Sequence, residues 1–216
     1  MSDPAQTLVI FDLDFTLIDN TYAICNAFNH ALDFFRVNRP KKEQIIAKIG
    51  IPLKEMFLDY LDGTRAEQAV HVFREFYGMH YFEGVKIIPG TIELLEELHE
   101  YQLALLTSKK TEMAVKLLEY YDLKKYFAYI LGEQKEIKPK PAPDPIKHIL
   151  LKFPNIRKAY MIGDHVVDCL AAKEAGINFI GVLTGNTPEK DLRHCAGKDA
   201  PILKSIKDIV PSRHLI

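Results

Sequence analysis

At 216 residues and 48% hydrophobic content, the chain can bury one substantial core and a modest second one. A formal net charge of −1, with lysines and arginines scattered except in short runs such as Lys109-Lys110 and residues 138–140, provides no basic field to draw nucleic acid. No apolar stretch approaches the roughly 20 residues that span a bilayer, residues 1–7 are too polar for a secretory signal, and three cysteines without CxxC spacing (Cys25, Cys169 and Cys195) fit neither a disulfide framework nor a zinc site. The default expectation is a soluble cytoplasmic protein, monomer or homodimer, with no nucleic-acid or membrane partner.

The first apolar run, Leu8-Val9-Ile10-Phe11, reads as a strand buried on both faces. Residues 18–85 then hold no convincing strand. They read as three or four helices, about 20–36, 42–49, 52–61 and 65–82, separated near Arg39-Pro40, Gly50-Ile51-Pro52 and Gly63. Residues 81–90 return the chain to the core, and Pro89-Gly90-Thr91 opens a helix patterned by Ile92, Leu94, Leu95 and Leu98. A second strand follows at Leu103-Ala104-Leu105-Leu106, and a helix on Ala114, Val115, Leu117 and Leu118. Tyr129-Ile130-Leu131 is a weaker strand, and a helix opens over residues 145–151. The strand Ala159-Tyr160-Met161-Ile162 leads into a helix over 166–175, stopped by Gly176, and Phe179-Ile180-Gly181-Val182 is a further strand. This alternation predicts an α/β fold. Residues 1–17 and 86–216 form a doubly wound parallel sheet with helices on both faces, and residues 18–85 form an inserted helical unit.

Candidate chemistry sits where the strands end. In Phe11-Asp12-Leu13-Asp14-Phe15-Thr16, Asp12 and Asp14 project to the same side of an extended segment, at the edge where open α/β sheets carry their sites. Two close acids separate their pKa values, which yields one nucleophile and one proton carrier; a polar turn with a capping aspartate is the alternative. Thr107, followed by Ser108, ends the second strand, where a hydroxyl and backbone N–H groups can hold phosphate oxygens or merely cap a helix. In Lys138-Pro139-Lys140-Pro141-Ala142-Pro143-Asp144-Pro145 the prolines stiffen an extended segment able to fix an ammonium, or a plain surface loop. In Gly163-Asp164-His165-Val166-Val167-Asp168 two acids flank a helix start, able to cap it or to face a divalent cation such as magnesium.

Taken in order, these segments resemble the haloacid dehalogenase-like hydrolase superfamily over nearly the whole chain. Asp12, Asp14 and Thr16 match its Asp-x-Asp-x-Thr motif, Thr107 its Ser/Thr motif, Lys140 its lysine before proline, and Gly163, Asp164 and Asp168 its Gly-Asp-x-x-x-Asp motif. The helical insert resembles the cap of the subgroup that holds phosphoglycolate phosphatases, related pyrophosphatases and β-phosphoglucomutases. The resemblance implies a Rossmann-like core with a helical cap. It also implies a Mg2+-dependent phosphatase that hydrolyses a small phosphate ester, phosphoglycolate favoured, through an aspartyl-phosphate. Inorganic pyrophosphatase and phosphomutase are alternatives within the family, and a non-catalytic phospho-accepting signalling module is one outside it. In the implied division of labour Asp12 attacks phosphorus and Asp14 is acid and base. Asp12, the Asp14 carbonyl and Asp164 hold Mg2+; Thr107, Ser108 and Lys140 bind phosphate oxygens; Asp168 and Thr16 support them, Asp168 steadying the metal shell or Lys140. Mg2+ and Lys140 then balance the three ionised acids Asp12, Asp164 and Asp168, where each unbalanced like-charge pair at 4 Å costs about 4 kcal/mol at an effective dielectric of about 20. Dehalogenases lack the second acid, so Asp14 points away from dehalogenation.

The chain departs from the pattern at Phe15, where the family commonly has glycine for backbone freedom or for room. His165 stands where Ser or Thr is frequent and is expected to start a helix. In the insert, Lys48-Ile49-Gly50-Ile51-Pro52-Leu53-Lys54 falls where relatives place a specificity loop; solvated lysines in a turn are the competing expectation. The insert's aromatic residues are expected to be mainly core, and Cys169 a small hydrophobe facing the sheet.

Overall fold

The structure, a computed structural model, describes residues 3–49 and 51–216. Strand β1 (Thr7–Phe11) is buried at every residue, as a strand covered on both faces must be. The chain leaves through β2 (Ile18–Asp19) and returns through β3 (Lys86–Ile87), and these two pair as a small sheet. Between them lie α1 (Thr21–Phe34), α2 (Lys42–Ile46), α3 (Leu53–Leu58) and α4 (Gly63–His80). After β3 the order is α5 (Thr91–Glu97), β4 (Gln102–Lys110), α6 (Thr111–Tyr120), β5 (Tyr129–Glu133), α7 (Asp144–Leu150), β6 (Lys158–Gly163), α8 (Val166–Ala175), β7 (Asn178–Val182), α9 (Glu189–Ala196), β8 (Ile202–Leu203) and α10 (Pro211–His214). Two compact units result, Met1–Ile18 with Ile87–Ile216 and Asp19–Lys86. Among the described residues no helix is long and apolar enough to cross a membrane.

The first unit carries a six-stranded sheet in the order β5-β4-β1-β6-β7-β8, with every pairing parallel. The chain winds outward from β1 in one direction and then returns to wind in the other, so β1 lies at the switch point where such sheets open a crevice at their carboxyl ends. Phe11 is in register with Leu105 on β4 and Ile162 on β6. The residues that follow these three strands therefore emerge side by side. Leu8, Ile10, Leu106, Leu131 and Met161 share a core with Ile146 and Ile149 of α7 and Ala172 of α8. Val9 and Phe11 point to the opposite face, where Phe11 meets Phe127 edge-on at 6.2 Å.

The α/β fold is the expected one, with its strands close to their expected positions. Two short elements near the end of the chain carry little sequence signal: β8 has only two residues, and α9 buries only Leu192 and Cys195 of a charged segment. The cysteine expectation needs correction. Cys169 does lie in the core beside the sheet, but its sulfur is bonded to that of Cys195, joining α8 to α9. Only Cys25 is a free thiol. The two bonded residues are 26 apart in sequence, and adjacent helices bring them together, which no local spacing rule could reveal.

In the second unit the aromatic residues pack on one another as expected. Phe28 stacks on Phe57 at 4.4 Å, Phe57 meets Phe73 at 6.4 Å, and Phe73 stacks on Tyr77 at 5.4 Å. Phe34 and Tyr22 are exceptions and are largely exposed. Of residues 48–54, read as a specificity loop or as a turn with solvated lysines, Gly50 lies outside the described residues. Lys48 pairs with Asp59, and Lys54 Nζ lies 2.5 Å from Glu67.

Candidate active site

Three buried carboxylates meet at the carboxyl edge of the central strands. Asp12 follows β1 directly and still donates its N–H to Ile162 O at 2.9 Å. Asp164 follows β6, and Asp168 stands one helical turn further on in α8. All three are buried, and one oxygen from each falls within 4.8 Å of the others. Such a cluster is stable only with compensating charge.

Lys140 supplies part of it. The proline-stiffened segment before α7 carries this ammonium into the cluster with only 4% of its side chain exposed, 2.6 Å from both Asp12 Oδ1 and Asp168 Oδ1. Asp168 has both oxygens engaged, because Oδ2 accepts the His165 N–H at 3.2 Å. A Cβ on Gly163 would stand 2.5 Å from that oxygen, so the close seat of Asp168 depends on glycine there. His165 caps α8, its Nδ1 accepting the Val167 N–H at 3.2 Å. Burial holds this imidazole below its usual range, which suits an acceptor nitrogen. It is the helix-start residue expected.

The remaining oxygens of Asp12 and Asp164 face a common point. The Thr16 hydroxyl lies 3.5 Å from Asp12 Oδ2 and 3.3 Å from Asp164 Oδ1, with one proton to share between them. Burial, only partly offset by Lys140, and the neighbouring Asp168 and Asp14 push the Asp12 carboxyl up to about 7. Burial and the same cluster also drive Asp164 well above the carboxylate range. Burial pulls the Lys140 ammonium down, but Asp12 and Asp168 outweigh it and hold it above its ordinary value. Three acids against one lysine leave an excess of negative charge that a divalent cation would neutralise. The all-oxygen donor set of Asp12 and Asp164 fits a hard cation such as Mg2+.

Asp14 neighbours this cluster but is not one of its three acids. Its Oδ2 accepts from Lys109 Nζ at 2.5 Å. Thr107 is buried, and its hydroxyl accepts the Lys109 N–H at 3.2 Å. It does not cap α6, since β4 continues to Lys110 and that residue is the N-cap. Ser108 beside it is exposed.

Phe15 resolves the question of the missing glycine. Its φ is +62°, the left-handed conformation that glycine adopts freely and a phenylalanine adopts at a cost of about 1–2 kcal/mol. Its N–H donates to Ile18 O at 2.6 Å, and its carbonyl accepts the Thr184 hydroxyl. The turn thus demands the backbone shape of glycine, and Phe15 takes it with its ring buried.

Three residues at this edge were not anticipated. Lys109 follows a recognised motif but carried no signal beyond its charge. Thr184 and Gly185 follow β7, the strand beside β6, so a strict survey of every strand end would have included them.

Comparison with known proteins places these features in a family. A model of the haloacid dehalogenase-like hydrolases matches residues 9–182. Pyrophosphatase PpaX of Bacillus velezensis is 30% identical over 185 residues, covering 84% of this chain and 85% of the relative. A Dickeya dadantii protein named "Probable phosphatase IndB" is 33% identical over 222 residues, with 98% and 95% covered. The solved structure of a haloacid dehalogenase-like hydrolase from Streptococcus pneumoniae superposes with a TM-score of 0.84 at 29% identity, covering 94% of this chain and 95% of that one.

Proposed function

The chain belongs to the haloacid dehalogenase-like hydrolases and is a phosphatase of that family, and on that premise we propose that it hydrolyses a small phosphorylated anion with Mg2+ through an aspartyl-phosphate on Asp12. The observation that carries this is one buried ammonium, Lys140, bridging Asp12 and Asp168 beside a third buried acid, Asp164.

Asp12 attacks phosphorus, and the bond from phosphorus to the leaving oxygen breaks as that oxygen takes a proton from Asp14. Water then attacks the acyl phosphate, Asp14 takes its proton, and phosphate leaves with Asp12 restored as a carboxylate. Lys140, Thr107 and Ser108 hold phosphoryl oxygens, and Asp168 keeps Lys140 aimed at Asp12. Asp12, the carbonyl of Asp14 and Asp164 would hold Mg2+, with Thr16 spanning the two carboxylates. Bound there, Mg2+ supplies charge neutralisation and polarises the phosphoryl group.

For the substrate, resemblance to the capped subgroup favours phosphoglycolate, and the name of the Bacillus relative puts inorganic pyrophosphate beside it. In both the leaving group is itself anionic, and Lys109 beside Asp14 is a cation placed to meet it. A phosphomutase would have to retain the phosphoryl group. A signalling module would gain nothing from Asp14, the acid that speeds hydrolysis.

The test is a screen of purified protein with Mg2+ against small phosphate esters and pyrophosphate, repeated in EDTA. Turnover that EDTA abolishes and Mg2+ restores is expected. Indifference to EDTA, or slow stoichiometric phosphorylation without turnover, contradicts the proposal.

A further inference from the structure

We propose that the Thr184-Gly185 turn after β7 is a positioning element that sets the spacing of Asp12 and Asp164, and with it the affinity of the site for a divalent cation. The proposal rests on the metal-dependent function given above and adds residues outside its four motifs.

The turn is placed by strand register. Gly163 pairs with Gly181, so the residues beyond β7 emerge beside those beyond β6, which begin with Asp164. The Leu183 N–H donates to Leu203 O at 2.9 Å, which anchors the start of the turn to β8. Two contacts then run from adjacent residues toward the acid pair, one through Phe15 to Thr16 and one directly to Asp164.

In the first, the Thr184 hydroxyl donates to the Phe15 carbonyl. That carbonyl belongs to the peptide that leads into Thr16, whose hydroxyl lies between Asp12 Oδ2 and Asp164 Oδ1. Phe15 is left-handed at φ +62°, a conformation that persists only when the surroundings over-determine it. Thr184 is one of those determinants. It fixes the peptide that delivers Thr16 to its place.

In the second, Gly185 lies directly against Asp164. A Cβ at position 185 would stand 1.8 Å from Asp164 Oδ2 and 2.6 Å from its Cγ. To clear it the carboxylate would have to turn away from the point it shares with Asp12, with Asp164 Cβ itself only 3.0 Å from the added atom. Neither residue is among the groups assigned to the phosphoryl centre, so both act through others.

The decisive variants are Gly185→Ala, Thr184→Val and Thr184→Ser, each checked for an unchanged far-UV spectrum and metal-free Tm. Mg2+ affinity is measured by calorimetry on the full chain without substrate, and kcat and KM at saturating Mg2+. Outer-shell changes of this kind cost about 10- to 100-fold in metal affinity. Gly185→Ala is expected to weaken Mg2+ binding by that order while KM for the phosphate ester stays unchanged. Thr184→Val is expected to weaken it in the same direction, and Thr184→Ser, which keeps the hydroxyl, to restore it. Wild-type Mg2+ affinity in both Gly185→Ala and Thr184→Val overturns the proposal. So does a Thr184→Ser protein as impaired as Thr184→Val, which would make the methyl rather than the hydroxyl the active part. A wild-type protein that binds no Mg2+ overturns the metal-dependent function and this proposal together. Wild-type binding that the variants retain overturns the role of the turn alone.

Discussion

Replacing Lys140 with methionine tests the electrostatic design of the site most severely. The side chain is 4% exposed and lies between Asp12 and Asp168, whose side chains are 11% and 1% exposed. Methionine fills much of the same volume but leaves the three carboxylates without their ammonium. Removing one partner of a buried pair costs about 3–5 kcal/mol, because the remaining charge stays desolvated. That cost must depend on pH, and its sign follows from the groups involved. The lysine contribution is present below its ordinary pKa of 10.5 and counts only while its carboxylate partners are ionised. Asp12, raised by burial to about 7, takes up a proton as pH falls through that value. The difference in stability between Lys140→Met and wild type should therefore be close to the full 3–5 kcal/mol at about pH 8 and distinctly smaller at about pH 5. Urea unfolding in EDTA, followed by circular dichroism at both pH values, measures it. A difference below about 1 kcal/mol at the higher pH, the size of a surface pair, or one that grows on acidification, refutes the reasoning.

Asp14→Asn should leave the fold intact and let phosphoenzyme accumulate or activity vanish, read by acid-quenched gels with labelled substrate; normal turnover removes its acid–base role. Phe15→Gly should relieve roughly 1 kcal/mol of left-handed strain but forfeit a buried ring worth about 3 kcal/mol or more, so a lower Tm is expected, and a higher Tm would mean that the ring contributes little. With Cys169 bonded to Cys195 and Cys25 free, denatured, unreduced protein should react with one equivalent of thiol reagent, and three equivalents would contradict the bond.

The parts of the fold that were legible in the sequence are those dictated by local pattern. Leu8 to Phe11 is apolar without alternation because both faces of β1 are covered, and Asp12 follows at once because the sheet edge is where polarity becomes affordable. The prolines marked a stiff segment able to fix an ammonium, and it was the resemblance to the family motif that singled out Lys140 within it. The parts that were not legible depend on neighbours in space. Lys109 reaches Asp14, 95 residues earlier, and Thr184 reaches Phe15, 169 residues earlier, through strand order that no single segment encodes. Gly185 is invisible as a site residue until Asp164 is seen against its backbone. The Cys169–Cys195 bond escaped for the same reason, since it joins two helices whose adjacency follows from β6 and β7 lying side by side. Phe15 shows the converse: its neighbours in sequence demanded a glycine-like turn, and the residue complied despite its side chain.

The central claim is that Asp12 becomes phosphorylated. Rapid acid quenching of enzyme with Mg2+ and a turned-over phosphate ester, followed by peptide mass spectrometry, reads this directly. A phosphoryl group on the peptide that contains Asp12, absent from Asp12→Asn along with turnover, is the predicted result. A phosphoryl group elsewhere, or an Asp12→Asn protein that still turns over substrate at an appreciable rate, would contradict it.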